Sequence, residues 1–347
     1  MSLSNPSQLL LRNEDLLEST NPLVVGCPDN EFFTHLQSAA PQATVSSYNV
    51  NFAEYQSISA KHGSKISCQF SEQYKTEQSH DLVIIYFPKS KKEYQFLLAM
   101  LAPTLTENAV ILVVGEKKGG VKSAIKLSTD YTLNSSKVDS ARHCFLFDIT
   151  FNNHVPEFNL DSWYERFSLT INNTEIQVAS LPGVFSNGEL DNGTRLLLEK
   201  LPSKISGKVL DFGCGAGIIG CFVKKLYPNT EIEMLDVNAL AIASANKTLQ
   251  LNNLSAKVYA SDGLSNVSGK YNAVLSNPPF HQGIKTNYHA TELFLKSIKK
   301  HLLKNATLTI VANNFLKYAP IIKAEINQPE LLANEKGFAI HHCQHKS

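Results

Sequence analysis

Several features are scarce in this chain, and each scarcity narrows what it can be. No apolar run approaches the ~20 residues of a bilayer-crossing helix; Leu82–Phe87 and Ala109–Val114, for instance, are far too short. The N-terminus carries no basic segment followed by an apolar stretch, so no secretory signal is expected and a cytoplasmic location is the default. The six cysteines are scattered, without a CxxC pair or a disulfide framework, and read as reduced thiols. Neither sign of charge dominates: 32 Lys+Arg stand against 31 Asp+Glu, a formal net charge of +1. That excludes the electrostatics of a small, uniformly basic nucleic-acid binder, so a nucleic acid would have to be met by local patches. Metal-ligand spacing is missing too. The tail His341-His342-Cys343-Gln344-His345 is metal-like in composition but has no second cluster, and no metal is expected.

What remains is ordinary globular composition, 43% hydrophobic and 18% charged over 347 residues. At ~150 residues per domain, two domains are expected. Strand candidates at Leu23–Gly26, Leu82–Phe87, Ala109–Val114 and Cys144–Phe147 alternate with helical stretches such as Lys92–Leu101. This predicts a layered α/β domain with a largely parallel sheet. The polar segment Asn152–Asp161, with Pro156 inside it, suggests a boundary and hence domains over 1–155 and 156–347. Trp163–Ser180 alternates apolar and polar residues around Asn172-Asn173, a hairpin pattern. A turn-rich segment over Leu181–Thr194 leads to a helix expected at Arg195–Leu201. From Lys208, strands at 208–212, 231–235, 256–260, 272–276 and 306–312 alternate with helices at 217–226, 239–252 and 289–303, the rhythm of a doubly wound sheet. Asp81–Pro88 can be laid on Asn272–Pro279, each followed by a helix and another strand. Duplication of one α/β unit is one reading; the general likeness of buried strands is the other.

The richest chemistry begins at Asp211-Phe-Gly-Cys-Gly-Ala-Gly217, a strand running through a glycine-rich turn into a helix. Gly213, Gly215 and Gly217 would let the backbone take positive φ and a ligand approach closely, and a helix N-terminus offers unpaired N–H groups. Gly215, Gly217 and Gly220 also satisfy the GxGxxG spacing of dinucleotide folds, which alone decides nothing. Three carboxylates shift the balance. Asp211, before the turn, would repel a pyrophosphate but suits the cationic methionine portion of S-adenosylmethionine, directly or through water. Asp236 ends the next strand, where a carboxylate can accept both ribose hydroxyls. Asp262-Gly263 follows the third strand, where one can accept the adenine amino group. Each lone Asp could be a helix cap or a solvated turn; three at successive strand ends point to cofactor binding. Gly115–Ser123 is not a phosphate loop, because Val121 puts the lysine and hydroxyl out of register.

Asn277-Pro278-Pro279-Phe280 ends the fourth strand of this half, where α/β sheets place chemistry. Two prolines stiffen the turn and remove N–H donors. The side-chain oxygen of Asn277 and the carbonyl of Pro278 can both accept hydrogens from one NH₂ group. Gripped so, a conjugated amine is favoured as a pyramidal nitrogen whose lone pair points at a methyl donor. Phe280 can stack on a flat substrate such as a flipped base. A plain proline turn with Phe280 in the core is the competing reading.

Asp211–Gly217 and Asn277–Phe280 resemble the cofactor and catalytic motifs of class I amino-methyltransferases. Asn277–Gly283, Ile310–Tyr318, Leu181–Ser186 and Leu190–Thr194 resemble the small-subunit ribosomal RNA guanine-N2 methyltransferases of the RsmC type, specifically over 160–325 and by length and layout over 1–150. The resemblance implies two tandem Rossmann-like methyltransferase domains, the N-terminal one degenerate, with Tyr86-Phe87-Pro88 in place of the catalytic loop. It implies S-adenosylmethionine as cofactor, a guanine of 16S rRNA in the 30S subunit as substrate, and a monomer. Lys304-Asn305-Ala306 departs from the family's glycine-rich turn, which affects turn geometry and not chemistry. His281 either contacts substrate or closes the loop, and Arg195 either contacts RNA or caps a helix. Lys89, Lys91, Lys92, Lys117, Lys118, Lys122 and Lys126 follow N-terminal strands; they form an RNA-holding rim or are simply solvated. Rival functions are guanine-N2 methylation of large-subunit rRNA, protein glutamine N5-methylation, and a non-catalytic ribosome-assembly factor. The glutamine enzymes' large helical N-terminal module is absent, and four intact site residues, Asp211, Asp236, Asp262 and Asn277, argue against a mere binding module.

Overall fold

The structure, a computed structural model, describes residues 3–185, 188–278 and 285–346, with the side chains of 285–288 left aside. The chain divides into two compact units, Met1–Trp163 and Tyr164–Ser347. The segment following the last strand of the first unit stays with that unit: the rings of Phe158 and Trp163 lie 5.7 and 5.5 Å from Phe96.

The N-terminal unit opens with α1 (Asn5–Leu11), capped by the Ser4 hydroxyl, which accepts from the Ser7 N–H. Then come β1 (Pro22–Val25), α2 (Asn30–Ala39), β2 (Ser46–Tyr48), α3 (Phe52–His62) and β3 (Ser67–Gln69). β4 (His80–Tyr86), α4 (Lys91–Leu101), β5 (Leu105–Glu116), the short α5 (Ala124–Leu127), β6 (Thr132–Asp139) and β7 (Cys144–Phe151) complete it. Seven strands form one sheet in the order β3-β2-β1-β4-β5-β7-β6, parallel except where β7 pairs with β5 and β6. The largely parallel sheet is therefore as expected. The unforeseen β2, β3 and β6 are short or polar, so periodicity hid them.

The C-terminal unit begins with the expected hairpin, β8 (Glu165–Ile171) and β9 (Thr174–Ser180). Asn172 and Asn173 both take positive φ, 47° and 62°, as a tight primed turn demands. The next helix, α6, spans Asn192–Glu199 and not Arg195–Leu201. Its start is set by Asp191, whose carboxylate accepts the Thr194 N–H, so Arg195 lies within the helix and does not cap it. Then follow β10 (Lys208–Phe212), α7 (Ile218–Leu226), β11 (Glu231–Asp236), α8 (Ala239–Leu251), β12 (Lys257–Ala260) and β13 (Tyr271–Ser276). α9 runs over Lys285–Ser297 and passes through a 3-10 turn, Ile298–His301, into β14 (Leu302–Asn313), so the expected helix 289–303 ends sooner. Asn305 takes φ 63°, supplying the left-handed turn that glycine makes elsewhere. α10 (Tyr318–Glu325), β15 (Glu330–Glu335) and β16 (Phe338–Gln344) end the unit. Its sheet order, β12-β11-β10-β13-β14-β16-β15, repeats that of the first unit strand for strand.

The repetition extends to register. Leu82 faces Pro22 and Val110, while Ala273 faces Val209 and Thr307. Each fourth strand carries an irregularity at the same place, His80/Leu82 and Tyr271/Ala273. The two units are two copies of one fold. Each buries its own core: Leu9, Phe32, Ile84 and Leu112 in the first, Leu210, Val274, Phe294 and Leu308 in the second. Among the described residues, no helix is long and apolar enough to cross a membrane.

Candidate active site

In the C-terminal unit the strand ends and the loops after them build one constellation. β10 ends at Asp211-Phe212, and the chain turns through Gly213, Gly215 and Gly217 at φ 69°, 53° and 75°. Only glycine takes such a run cheaply. Gly217 is fixed by packing as well, since a Cβ there would sit 2.8 Å from that of Ala245 on α8. Around Gly213 a Cβ would meet nothing within 4 Å, so its requirement is conformational and the space beside it is open. A Cβ on Gly215 would lie 3.9 Å from the Cβ of Phe185, an aromatic ring left 45% exposed.

Asp211 is fully buried beneath this turn. Its Oδ2 accepts the Gly220 N–H at 2.9 Å, while its Oδ1 has no partner among the described residues. Burial pushes the carboxyl up to about 7; the Gly220 N–H pulls it back and the nearby Asp236 charge adds to the rise. A buried acceptor without a donor is costly, and a cation or donor supplied by a ligand relieves it. At the end of β11, Asp236 holds the glycine turn: Oδ2 accepts from Gly215 N at 2.9 Å and Oδ1 from Asn238 N at 3.0 Å. Each oxygen keeps a further lone pair for a ligand hydroxyl. Burial raises this carboxyl too, against the N–H bonds that lower it. Asp262 is exposed after β12, in a turn where Ser261 Oγ donates to Gly263 O at 2.9 Å.

β13 delivers Asn277 beside that cradle, and the two are tied together by the buried Ser276, whose Oγ donates to Phe212 O at 2.8 Å. Asn277 is itself buried, at 8% exposure. Its Nδ2 donates to Asp191 Oδ2 at 3.0 Å and to Thr194 Oγ1 at 2.7 Å, and its Oδ1 has no partner among the described residues. Pro278 follows, buried. Phe280 and His281, expected to face substrate, lie outside the described residues, as does Pro279.

Asp191 and Thr194 were not among the residues expected at the site. Their signal was present as a helix-capping Asp with Thr three residues on, but a cap is local and says nothing about which strand end it will meet. The tail histidines lie in β16, where His341 and His342 alternate across the sheet; His342 Nδ1 pairs with Thr309 Oγ1 at 2.9 Å. Among the described residues, no group of three or more His, Cys, Asp or Glu is placed to hold a metal.

A doubly wound sheet with a glycine cradle at β10, carboxylates at successive strand ends and an Asn-Pro turn at β13 defines a class I methyltransferase unit, here following a copy that lacks the cradle. Two family models match: Methyltransferase small domain over residues 175–342, and Methyltransferase small domain N-terminal over 7–167. The chain is 47% identical to Ribosomal RNA small subunit methyltransferase C of Colwellia psychrerythraea, covering 99% of this chain and 98% of that one. It is 42% identical to the protein of the same name from Psychromonas ingrahamii, over 99% and 97%. The solved T. thermophilus 16S rRNA N2 G1207 methyltransferase (RsmC), in complex with AdoMet and guanosine, has the same fold: TM-score 0.83, 21% identity, 96% of this chain and 91% of that one. The chain belongs to the ribosomal RNA small subunit methyltransferase C family.

Proposed function

We propose that the C-terminal unit transfers the methyl group of S-adenosylmethionine to the exocyclic N2 of a guanine in 16S rRNA, with the assembled 30S subunit as substrate. The carrying observation is Asn277: a buried amide whose nitrogen is occupied and whose oxygen has no partner among the described residues. An unpaired acceptor beside a methyl-donor cradle suits an incoming NH₂ donor, and the T. thermophilus relative was solved with guanosine.

The cradle residues fit the cofactor. Asp211, with its orphaned buried oxygen, answers the cationic methionine end, directly or through water; Asp236 accepts the ribose hydroxyls; Asp262 accepts the adenine amino group. Gly213 and Gly215 leave room for close approach, and Gly217 lets the turn pack on α8. When bound, the cofactor supplies an electrophilic methyl on a positively charged sulfur. Asn277 Oδ1 and the Pro278 carbonyl hold the two amine hydrogens, so the nitrogen lone pair is aimed and the positive charge growing on nitrogen is stabilised. Phe280 and His281 complete the substrate side in this reading. Tritiated-methyl transfer to 16S rRNA, 23S rRNA, 30S and 50S particles, followed by nucleoside analysis, tests it. Label in N2-methylguanine from 30S particles is expected; label in adenine, in 23S rRNA or in a protein glutamine overturns it.

The N-terminal unit, residues 1–155 in this division, we read as the RNA-holding and supporting copy. Lys117, Lys122 and Lys137 bring their Nζ atoms to 4.7, 5.7 and 5.7 Å from the centroid of the half-buried Phe145 ring. Lys118 and Lys126 are exposed close by in sequence, and a Cβ on Gly120 would lie 3.9 Å from Lys91 Cε, which brings the two lysine clusters together. Cations around an aromatic face suit phosphates and a stacked base. Charge reversal at Lys117, Lys118 and Lys122 should weaken rRNA binding and flatten its salt dependence; an unchanged affinity and slope reject the assignment.

A further inference from the structure

The Asn277 amide is useful only one way round. With oxygen toward the substrate it accepts an amine hydrogen; reversed, it presents a second donor to a donor. A carboxylate can only accept, so the Asn277 atom 3.0 Å from Asp191 Oδ2 has to be the nitrogen. Thr194 Oγ1, at 2.7 Å, takes its second hydrogen. Both amide hydrogens are thus spent, and turning the amide over would set two unprotonated acceptors against each other in a buried place. The same Asp191 oxygen accepts the Thr194 N–H at 2.9 Å, so the cap of α6 and the clamp on Asn277 share one atom. Gly193 makes the seating possible: a Cβ there would meet the Phe338 ring at 2.9 Å. The negative charge behind the amide nitrogen also polarises the amide, strengthening its oxygen as an acceptor.

The N-terminal copy keeps the scaffold of this clamp without its purpose. α1 packs on β5 and β7 as α6 packs on β14 and β16. Its cap Ser4 and the following Ser7 hold the places of Asp191 and Thr194, and Ser7 Oγ meets Tyr86 Oη at 2.7 Å, where Tyr86 holds the register of Asn277.

We infer that Asp191 and Thr194 are positioning residues that lock the Asn277 amide with its oxygen toward the substrate amine. This rests on the reading of Asn277 as the group that grips that amine. Steady-state methylation of 30S subunits lacking the modification, with tritiated S-adenosylmethionine, tests it alongside calorimetric cofactor affinity. Thr194→Val should lower kcat by about tenfold or more, with KM and cofactor affinity within about twofold of wild type, and Thr194→Ser should restore it. Asn277→Asp sets two carboxylates face to face and should be inactive, whereas Asp191→Ser, which keeps a capping oxygen for the Thr194 N–H as Ser4 does in the first unit but is one bond shorter toward Asn277, should lower kcat by about tenfold or more. Wild-type kcat in Thr194→Val beside an inactive Asn277→Ala overturns the clamp and leaves the reading of Asn277 standing, whereas an active Asn277→Ala overturns that reading itself. Should Thr194→Val melt below assay temperature, Asp191→Ser decides: wild-type kcat there beside an inactive Asn277→Ala overturns the proposal.

Discussion

The two halves of this molecule share strand order, register and even the position of a strand irregularity, yet differ where a cofactor would sit. At the matching places along the sheets, Asp211 faces the role that Val24 fills in the first unit, Thr309 that of Leu112, and Asn277 that of Tyr86. Gly26 keeps the positive φ of Gly213, 67° against 69°, but Pro28 and Asp29 follow it where the second unit has Gly215 and Ala216. In the first unit that loop is engaged by its own chain, with the Asp29 carboxylate accepting from Ser4 and Ser7. The backbone plan thus tolerates either outcome. A few side chains at strand ends decide between a sealed, self-satisfied core and a cradle with acceptors left over.

The contrast can be broken by exchanging roles. Its largest test is at the β4 and β13 ends. Asn277→Ala should cost on the order of 100-fold or more in kcat with cofactor affinity retained, while Tyr86→Phe leaves methyl transfer unchanged; rates from single-turnover labelling separate the two. Next is Asp236, proposed above to accept the ribose hydroxyls. Asp236→Ala should weaken S-adenosylmethionine at least about tenfold by calorimetry, given charged hydrogen bonds of ~1.5–3 kcal/mol each. Its register partner Asn49, buried and donating to Cys27 O at 3.0 Å, should on truncation lower the melting temperature without moving cofactor affinity.

Importing the acid into the sealed copy should show the cost of burying it. Val24→Asp should destabilise the chain by about 3 kcal/mol, read from denaturant midpoints, without creating cofactor affinity. The smallest effect is a pH slope. Asp211 has a folded pKa of about 7, raised from 3.8. Its contribution to stability is therefore complete below about pH 4 and is lost as pH rises through 7. Ligand-free protein should melt lower at pH 8 than at pH 6, and Asp211→Asn should reduce that difference. Glu54 and Glu93, which burial also raises to about 7, contribute to both proteins and cancel in the comparison. Cofactor affinity should move oppositely, rising through pH 7 as Asp211 ionises. A pH-independent difference between wild type and Asp211→Asn would refute the assignment.

Much of this was legible in advance because it is local. Strands β10 to β14 announce themselves as apolar runs between turn formers, and glycine positions mark where φ must be positive. Short β2 and β3, and the polar β6, carry no such pattern; their strand state comes from pairing with neighbours. The start of α6 was misplaced by three residues because Asp191 reads equally well as turn or cap until its carboxylate is seen on the Thr194 N–H.

The sequence by itself determined the fold class, the duplication as one of two readings, the candidates Asp211, Gly213, Gly215, Gly217 and Asp236 for a cofactor cradle, and the chemistry an Asn-Pro-Pro turn can offer. Those follow from φ preferences, hydrophobic period and functional groups, all encoded within a few residues. Only the tertiary structure decided that Asp211 is wholly buried, with one oxygen unpaired among the described residues, and which way the Asn277 amide points. Its partners stand 86 and 83 residues earlier in the chain. They meet it because α6 packs across β14 and β16, and hydrogen bonding in a buried place then leaves the amide a single orientation.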